Sequence, residues 1–145
     1  MLIDRQTLLS DEQAVTTTAF SSDQYDTGNV SPSRNLGRSG LRLVVTTDVA
    51  ATADGAATVT FELIAADDAA GTNAVVLMSS GAIGKAALTA GSKPFDVPIP
   101  DHSKRFLMVR YTVATGPLTA GKFSAALLNG SDYQRAYPGG YTQGF

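Results

Sequence analysis

His102 is the chain's one histidine, and the chain has no cysteine. The histidine stands in Pro100-Asp101-His102-Ser103-Lys104, between apolar runs. A Ser-His-Asp site would need a serine delivered to it by the fold. No Gly-x-Ser-x-Gly elbow is present, and Gly37-Arg38-Ser39-Gly40 is one residue short of one. A polar surface turn is the expectation for His102. Gly81-Ala82-Ile83-Gly84-Lys85 has the glycines and lysine of a phosphate loop, but not its spacing, its following Ser/Thr or a helix for it to open. It reads as a bend between strands. Asp67-Asp68 offers hard oxygens of the kind calcium takes, without the ligand spacing of a calcium loop. Asn129-Gly130-Ser131 matches a glycosylation acceptor and reads as a turn. With no thiols there is no disulfide framework, no thiol catalysis and no Cys-based zinc site. The expectation is a protein that is not an enzyme, with no metal and no cofactor.

Other residues could bind a surface. Arg34, Arg38 and Arg42 form a small basic patch, either solvated or receiving an acidic partner. Phe20 and Tyr25 stand alone in QAVTTTAFSSDQYDTG, Gln13 to Gly28. At the other end, Tyr133, Tyr137, Tyr141 and Phe145 recur every fourth residue. Pro138-Gly139-Gly140 cannot continue a helix. In an extended chain a period of four also places side chains on one face, because the strand period is two. Such a row either packs on its own domain or serves a partner.

The elements that must position these residues read as β throughout. Leu41, Leu43 and Val45 alternate with Arg42 and Thr46, and Val59, Phe61 and Leu63 alternate with Thr58, Thr60 and Glu62. Val75 to Met78 reads as a short buried run, and Ser79–Gly91 is ambiguous. In Phe95-Asp96-Val97-Pro98-Ile99-Pro100 the prolines cannot donate to a ladder, so an edge strand is expected. Arg105 to Val113, RFLMVRYTV, is the most central strand, followed by one through Phe123, Ala125 and Leu127 that Asn129-Gly130 ends. Six or seven strands and no long helix predict an all-β antiparallel sandwich over 29–131. Residues 1–28 carry Asp4, Asp11, Glu12, Asp23 and Asp26 against Arg5, about −4, and read as an extended arm outside the core. Residues 132–145 read as an aromatic tail.

At 145 residues one domain suffices. The net charge of −2 lacks the basic excess of a nucleic-acid binder. Apolar runs are far shorter than the roughly 20 residues a bilayer needs. Met1-Leu2-Ile3-Asp4-Arg5 carries charges where a signal peptide would be apolar.

Arg105 to Gly121, RFLMVRYTVATGPLTAG, with the small-residue strand after it, resembles the jelly-roll cement, or decoration, proteins of tailed-phage capsids. Also similar to that family are Asp4 with Gln6 to Thr16, Ala56 to Leu63, Val76-Leu77 with Gly81-Ala82-Ile83, and Tyr137-Pro138-Gly139-Gly140. The similarity runs collinearly along nearly the whole chain, except Asn29–Gly40. It implies a jelly-roll sandwich that pairs as a homodimer, made in the host cytoplasm and seated on the outer surface of the virion head. There it would clamp neighbouring copies of the major capsid protein against internal DNA pressure. No catalysis, metal or cofactor belongs to that family. The arm would then be a strap, able to span up to roughly 90 Å, with Phe20 and Tyr25 as anchors. The contact set to a capsid or dimer partner would be Phe20, Tyr25, Arg34, Arg38, Tyr133, Tyr137, Tyr141 and Phe145. Two rival readings share the sandwich. One is a head–tail adaptor or tail accessory protein. The other is a carbohydrate-binding module, disfavoured because the chain has no tryptophan.

Overall fold

Strand alternation becomes two packed sheets in the computed structural model, which describes residues 3–28, 35–37 and 39–129. Nine strands follow in order: β1 Leu8–Ala14, β2 Ala19–Phe20, β3 Tyr25–Asp26, β4 Leu41–Thr52, β5 Thr58–Ala66, β6 Val75–Gly84, β7 Phe95–Pro98, β8 Phe106–Ala114 and β9 Ala120–Asn129. One sheet has the order β1-β9-β4-β7; the other has β2-β8-β5-β6, with β3 also on β8. Every pairing is antiparallel.

The pairing is nested. First pairs with last (β1·β9), then β2 and β3 with β8, then β4 with β7, then β5 with β6. One long hairpin ribbon is thus rolled over itself, and the roll is closed by β4·β9 and β5·β8. That is a jelly roll. Its alternate residues explain the two-sheet core. Val59, Phe61, Leu63 and Ala65 of β5 meet Leu43 and Val45 of β4, Leu107, Val109 and Tyr111 of β8, and Phe123, Ala125 and Leu127 of β9 in one buried cluster.

The apolar residues on both faces of β8 have separate uses. Leu107, Val109 and Tyr111 face the main core. Met108, on the outer face, joins Ile64 and Ala66 in a second cluster with Phe106 and Ala74 against it. The edge position expected for Phe95–Pro98 is observed, with Pro98 opposite Arg42 at the margin of its sheet. The ambiguous Ser79–Gly91 divides into the end of β6 and a 3-10 turn at Lys85–Ala87.

Two expectations are corrected. The first is the arm. Within residues 1–28, the stretch from Leu8 is built into both sheets. Leu9 and Val15 are buried in the main core, β1 forms the margin of one sheet, and β2 and β3 complete the other. The polar residues that suggested a free segment are spent on the fold. Ser21 donates its backbone N–H to the Val109 carbonyl at 2.7 Å, and its Oγ accepts the Val109 N–H at 3.1 Å. Thr27 Oγ1 donates to the Arg105 carbonyl at 2.6 Å. The second is the buried run at Val75–Met78. β6 is an edge strand, and Val75 and Val76 are 48% and 42% exposed. The strand also bulges. Between the pairs Thr60↔Ala82 and Glu62↔Ser79 it carries one extra residue, with Gly81 at φ +71°. Ser80 Oγ then takes the Phe61 N–H at 3.0 Å, so the slip leaves that donor satisfied.

One hydroxyl pair ties β1 to the core. Tyr111 is fully buried and donates its phenol O–H to Ser10 Oγ at 2.9 Å, and Ser10 donates onward to Gln13 Oε1 at 2.8 Å. Burial pushes the phenol's pKa well above its ordinary value, so it stays a donor. The two sides of this pair differ. Tyr111→Phe removes the donor and leaves Ser10 with Gln13, a loss of about 1 kcal/mol. Ser10→Ala strands the buried phenol and costs about 1–3 kcal/mol. Urea unfolding of both variants checks that order; a larger loss for Tyr111→Phe would show that the phenol finds another partner.

Candidate functional site

His102 departs from the surface-turn expectation. It is 9% exposed. Its Nδ1 faces the Lys104 carbonyl at 3.1 Å, and its Nε2 accepts the Leu36 N–H at 3.1 Å. A carbonyl only accepts, so in this arrangement Nδ1 is the donor and Nε2 the acceptor. Asn35 completes the knot. Its Oδ1 accepts the N–H groups of Gly37 and His102, and its Nδ2 donates to Asp101 Oδ1 at 3.2 Å. A Cβ on Gly37 would overlap Asp101, so the two loops meet at a distance only glycine allows. Both imidazole nitrogens serve as structural clasps, and neither is directed at a nucleophile.

Beside this knot lies a cavity of about 330 Å³, floored by Ala65, Val75 and Leu77 and rimmed by the 101–104 loop. Its charged rim is already paired: Lys104 Nζ donates to Asp67 Oδ1 at 2.9 Å. Asp67 Oδ2 accepts from Asn73 Nδ2, and Asp68 Oδ1 accepts the Ala70 and Thr72 N–H groups. These bonds hold both carboxyls below the usual carboxylate range, Asp67 chiefly through Lys104 and Asp68 chiefly through Thr72. The aspartate pair is therefore a loop brace. Among the described residues no group of three or more His, Asp or Glu is placed to hold a metal ion. The Gly81–Lys85 stretch ends an edge strand, and Lys85 Nζ donates to the Ala53 carbonyl at 2.5 Å.

The outer face of the β8 sheet carries ion pairs. Glu62 Oε2 accepts from Arg110 Nε at 2.6 Å and from Thr112 Oγ1 at 2.9 Å, which lowers its pKa against the opposing effect of burial. Arg105 grips Asp26 side-on, Nε to Oδ1 at 2.6 Å and Nη2 to Oδ2 at 2.7 Å. That pair is the main reason the Asp26 carboxyl is held down at about 2, with help from the Gly28 N–H. A depressed carboxyl contributes stability that is present above its unfolded value of about 3.9 and is lost as pH falls through the folded value. Asp26→Asn should therefore flatten the loss of stability between about pH 4 and pH 2 in acid titrations followed by circular dichroism. The effect should stay within about 1 kcal/mol, because both partners are substantially exposed. An unchanged slope would show that the pair is already open in solution.

A family model, Bbp16, matches residues 9–127. The chain belongs to the Bbp16 family. Bbp16 is a phage-related family, and membership suggests a phage structural protein. No curated protein matches the chain. The Bbp16 match opens inside β1 and closes inside β9, so it takes in all but the ends of the rolled ribbon, including residues 9–28 of the segment expected to lie outside it.

Within the Bbp16 span, Phe20 lies on β2 opposite Arg110 and is 38% exposed. Its ring covers Gly71, where a Cβ would come within 2.9 Å of Phe20 Cζ, so it packs the 67–74 loop onto the sheet. Tyr25, opposite Leu107, is half-buried against the main core. Arg42 is spent on Asp96, with Nε to Oδ1 at 2.8 Å. The structure thus does not gather Phe20, Tyr25 and Arg42 into one surface. Arg34, Arg38, Tyr133, Tyr137, Tyr141 and Phe145 lie outside the described residues. The four tail aromatics also lie beyond the Bbp16 match. Sequence reasoning missed the Asp26–Arg105 clamp and the slot at Val75 and Leu77. The clamp joins residues 79 apart with no local pattern to announce it.

Proposed function

We propose that this chain is a capsid decoration protein. In this reading it sits as a homodimer on the outside of an icosahedral phage head and clamps neighbouring major capsid subunits, without catalysis. The observation that carries the reading is the match of a phage-related family over residues 9–127, nearly all of the jelly roll. The geometry supports it through what the polar side chains do. His102, Asp67, Asp68, Glu62 and Arg110 are all committed to contacts within the domain. A domain braced this way is suited to bearing load at its surface. A shell multiplies many modest contacts, so each need not be tight alone. Of the basic patch, Arg42 is tied to Asp96; Arg34 and Arg38 lie outside the described residues and are, in this reading, the members of the patch that meet an acidic partner.

Co-sedimentation with undecorated expanded capsids tests this, using the full chain beside Arg34→Glu/Arg38→Glu. The expected result is saturable pelleting of the full chain and roughly tenfold weaker pelleting of the charge-reversed variant, stronger in low salt. No pelleting of the full chain would overturn the reading, and ring-shaped oligomers in place of dimers would redirect it to a head–tail adaptor.

A further inference from the structure

The slot beside His102 is one of the apolar openings among the described residues. Its floor includes Val75, 48% exposed, with Leu77 and Ala65 beside it. Its rim is not waiting for a charged ligand. Both His102 nitrogens, Asp101 Oδ1 and the Lys104 ammonium already have partners in the chain. At about 330 Å³ it lies at the small end of ligand sites. What it fits is an apolar body with a modest polar tip, the chemistry of a tyrosine side chain.

The position of the chain's exit names a source. Asn129, the last residue of β9, is in register with Leu41. The Leu41 carbonyl accepts the Ile99 N–H at 3.2 Å, and Ile99 leads directly into the 101–104 rim. β9 therefore leaves its sheet at the same end of the sandwich as the slot. β4 alone lies between β9 and β7, so the lateral gap from β9 to β7 is two strand spacings, roughly 10 Å. The segment from Gly130 to Phe145 could cover on the order of 50 Å if extended, and it carries Tyr133, Tyr137, Tyr141 and Phe145. A tethered aromatic within reach of an apolar slot has an effective concentration in the millimolar range, which a free partner must exceed to displace it.

We propose that the slot formed by Ala65, Val75 and Leu77 seats a tyrosine of the chain's own segment after Asn129. One member of the aromatic row is, in this proposal, held by its own domain. This inference does not rest on the decoration reading and is tested without capsids.

Because the chain has no cysteine, a pair of introduced thiols reports proximity cleanly. The full chain is prepared with Val75→Cys combined in turn with Tyr133→Cys, Tyr137→Cys and Tyr141→Cys. The controls carry Val49→Cys in place of Val75→Cys. Val49 is 43% exposed and pairs with Lys122 at the far end of the sandwich. Thermal melts confirm that each variant is folded, and intact mass after mild oxidation separates within-chain from between-chain disulfides. The expected result is a within-chain disulfide from Val75→Cys at one tail position, formed about tenfold faster than from the Val49→Cys control. Equal rates from both positions would overturn the proposal. So would predominantly between-chain disulfides, which would assign the slot to the segment of a second copy.

Discussion

A chain lacking residues 1–28 is expected to show no cooperative unfolding transition. The segment looks dispensable by composition, yet its removal opens the sandwich along one side. Leu9 and Val15 are essentially inaccessible in the main core. Each contributes roughly 1.5–3 kcal/mol by burial alone. Their loss also opens the side of the core that holds Tyr111 and Phe123, since Ser10 of β1 accepts the Tyr111 phenol and Gln13 of β1 pairs with Phe123 of β9. The Tyr111 phenol loses its acceptor, and β8 loses the partners that β2, β3 and Ser21 supply. Two buried apolar side chains, a stranded phenol and two unpaired strand margins together match the whole stability of an ordinary domain, about 5–15 kcal/mol. Near-UV circular dichroism and urea titration read the outcome: a flat, non-cooperative urea profile without fixed aromatic signals is expected. A native-like transition with a midpoint close to that of the intact chain would show that β1 to β3 are ornamental. The consequence for function is direct. A truncation at residue 28 cannot serve as the test of capsid binding, because its failure to bind would report unfolding.

What made the sandwich legible was strands with unbroken alternation. β5 shows one apolar face from Val59 to Ala65, and β8 shows apolar residues on both faces because a second cluster covers its outside. β1 hid for the opposite reason. Its pairing slips between Leu8 and Ser10 and again between Ser10 and Gln13, and Glu12 sits at φ +44°. Two irregularities in seven residues erase the period of two on which strand recognition rests. β2 and β3 are two residues each, too short to carry any period. Val75-Val76 misled by composition, since an apolar pair reads the same on an edge strand as in a core. The His102 clasp was invisible because its partners are a backbone N–H and a carbonyl, Leu36 and Lys104, which no side-chain motif encodes. The contact residues assigned from sequence fared according to their surroundings. Tyr25 and Phe20 are isolated aromatics in a polar stretch, a pattern common to a free anchor and to a strand residue capping a sheet. Only the pairing with Leu107 and Arg110 tells the two apart.

The largest single-residue effect should come from Phe61→Ala. Phe61 projects from β5, at the middle of its sheet, into the space between the two sheets. Its ring meets Tyr111 at 5.9 Å and 86°, and Phe123 at 5.2 Å and 76°, both edge-to-face. Tyr111 and Phe123 in turn stack at 5.7 Å and 21°. These three rings come from both sheets, β5 and β8 on one side and β9 on the other, so the cluster is the bond between layers. Truncating a buried phenylalanine costs about 3–5 kcal/mol, and the upper half of that range applies here. Two favourable ring geometries are lost together, and the hole is walled by antiparallel strands paired on both sides, which cannot collapse into it. Urea unfolding with an unchanged m-value and a midpoint lowered by that loss divided by m is the expected reading. Phe20→Ala provides the contrast. It removes a ring 38% exposed on the outer face, and it should cost about 1 kcal/mol or less. A Phe61→Ala loss as small as that of Phe20→Ala would mean that the two sheets are held by their rims and not by their centre. The jelly roll would then be more loosely joined than its core implies. If the losses differ as argued, the interior carries the stability, and Phe20 and the outer faces can be altered to map binding without unfolding the domain.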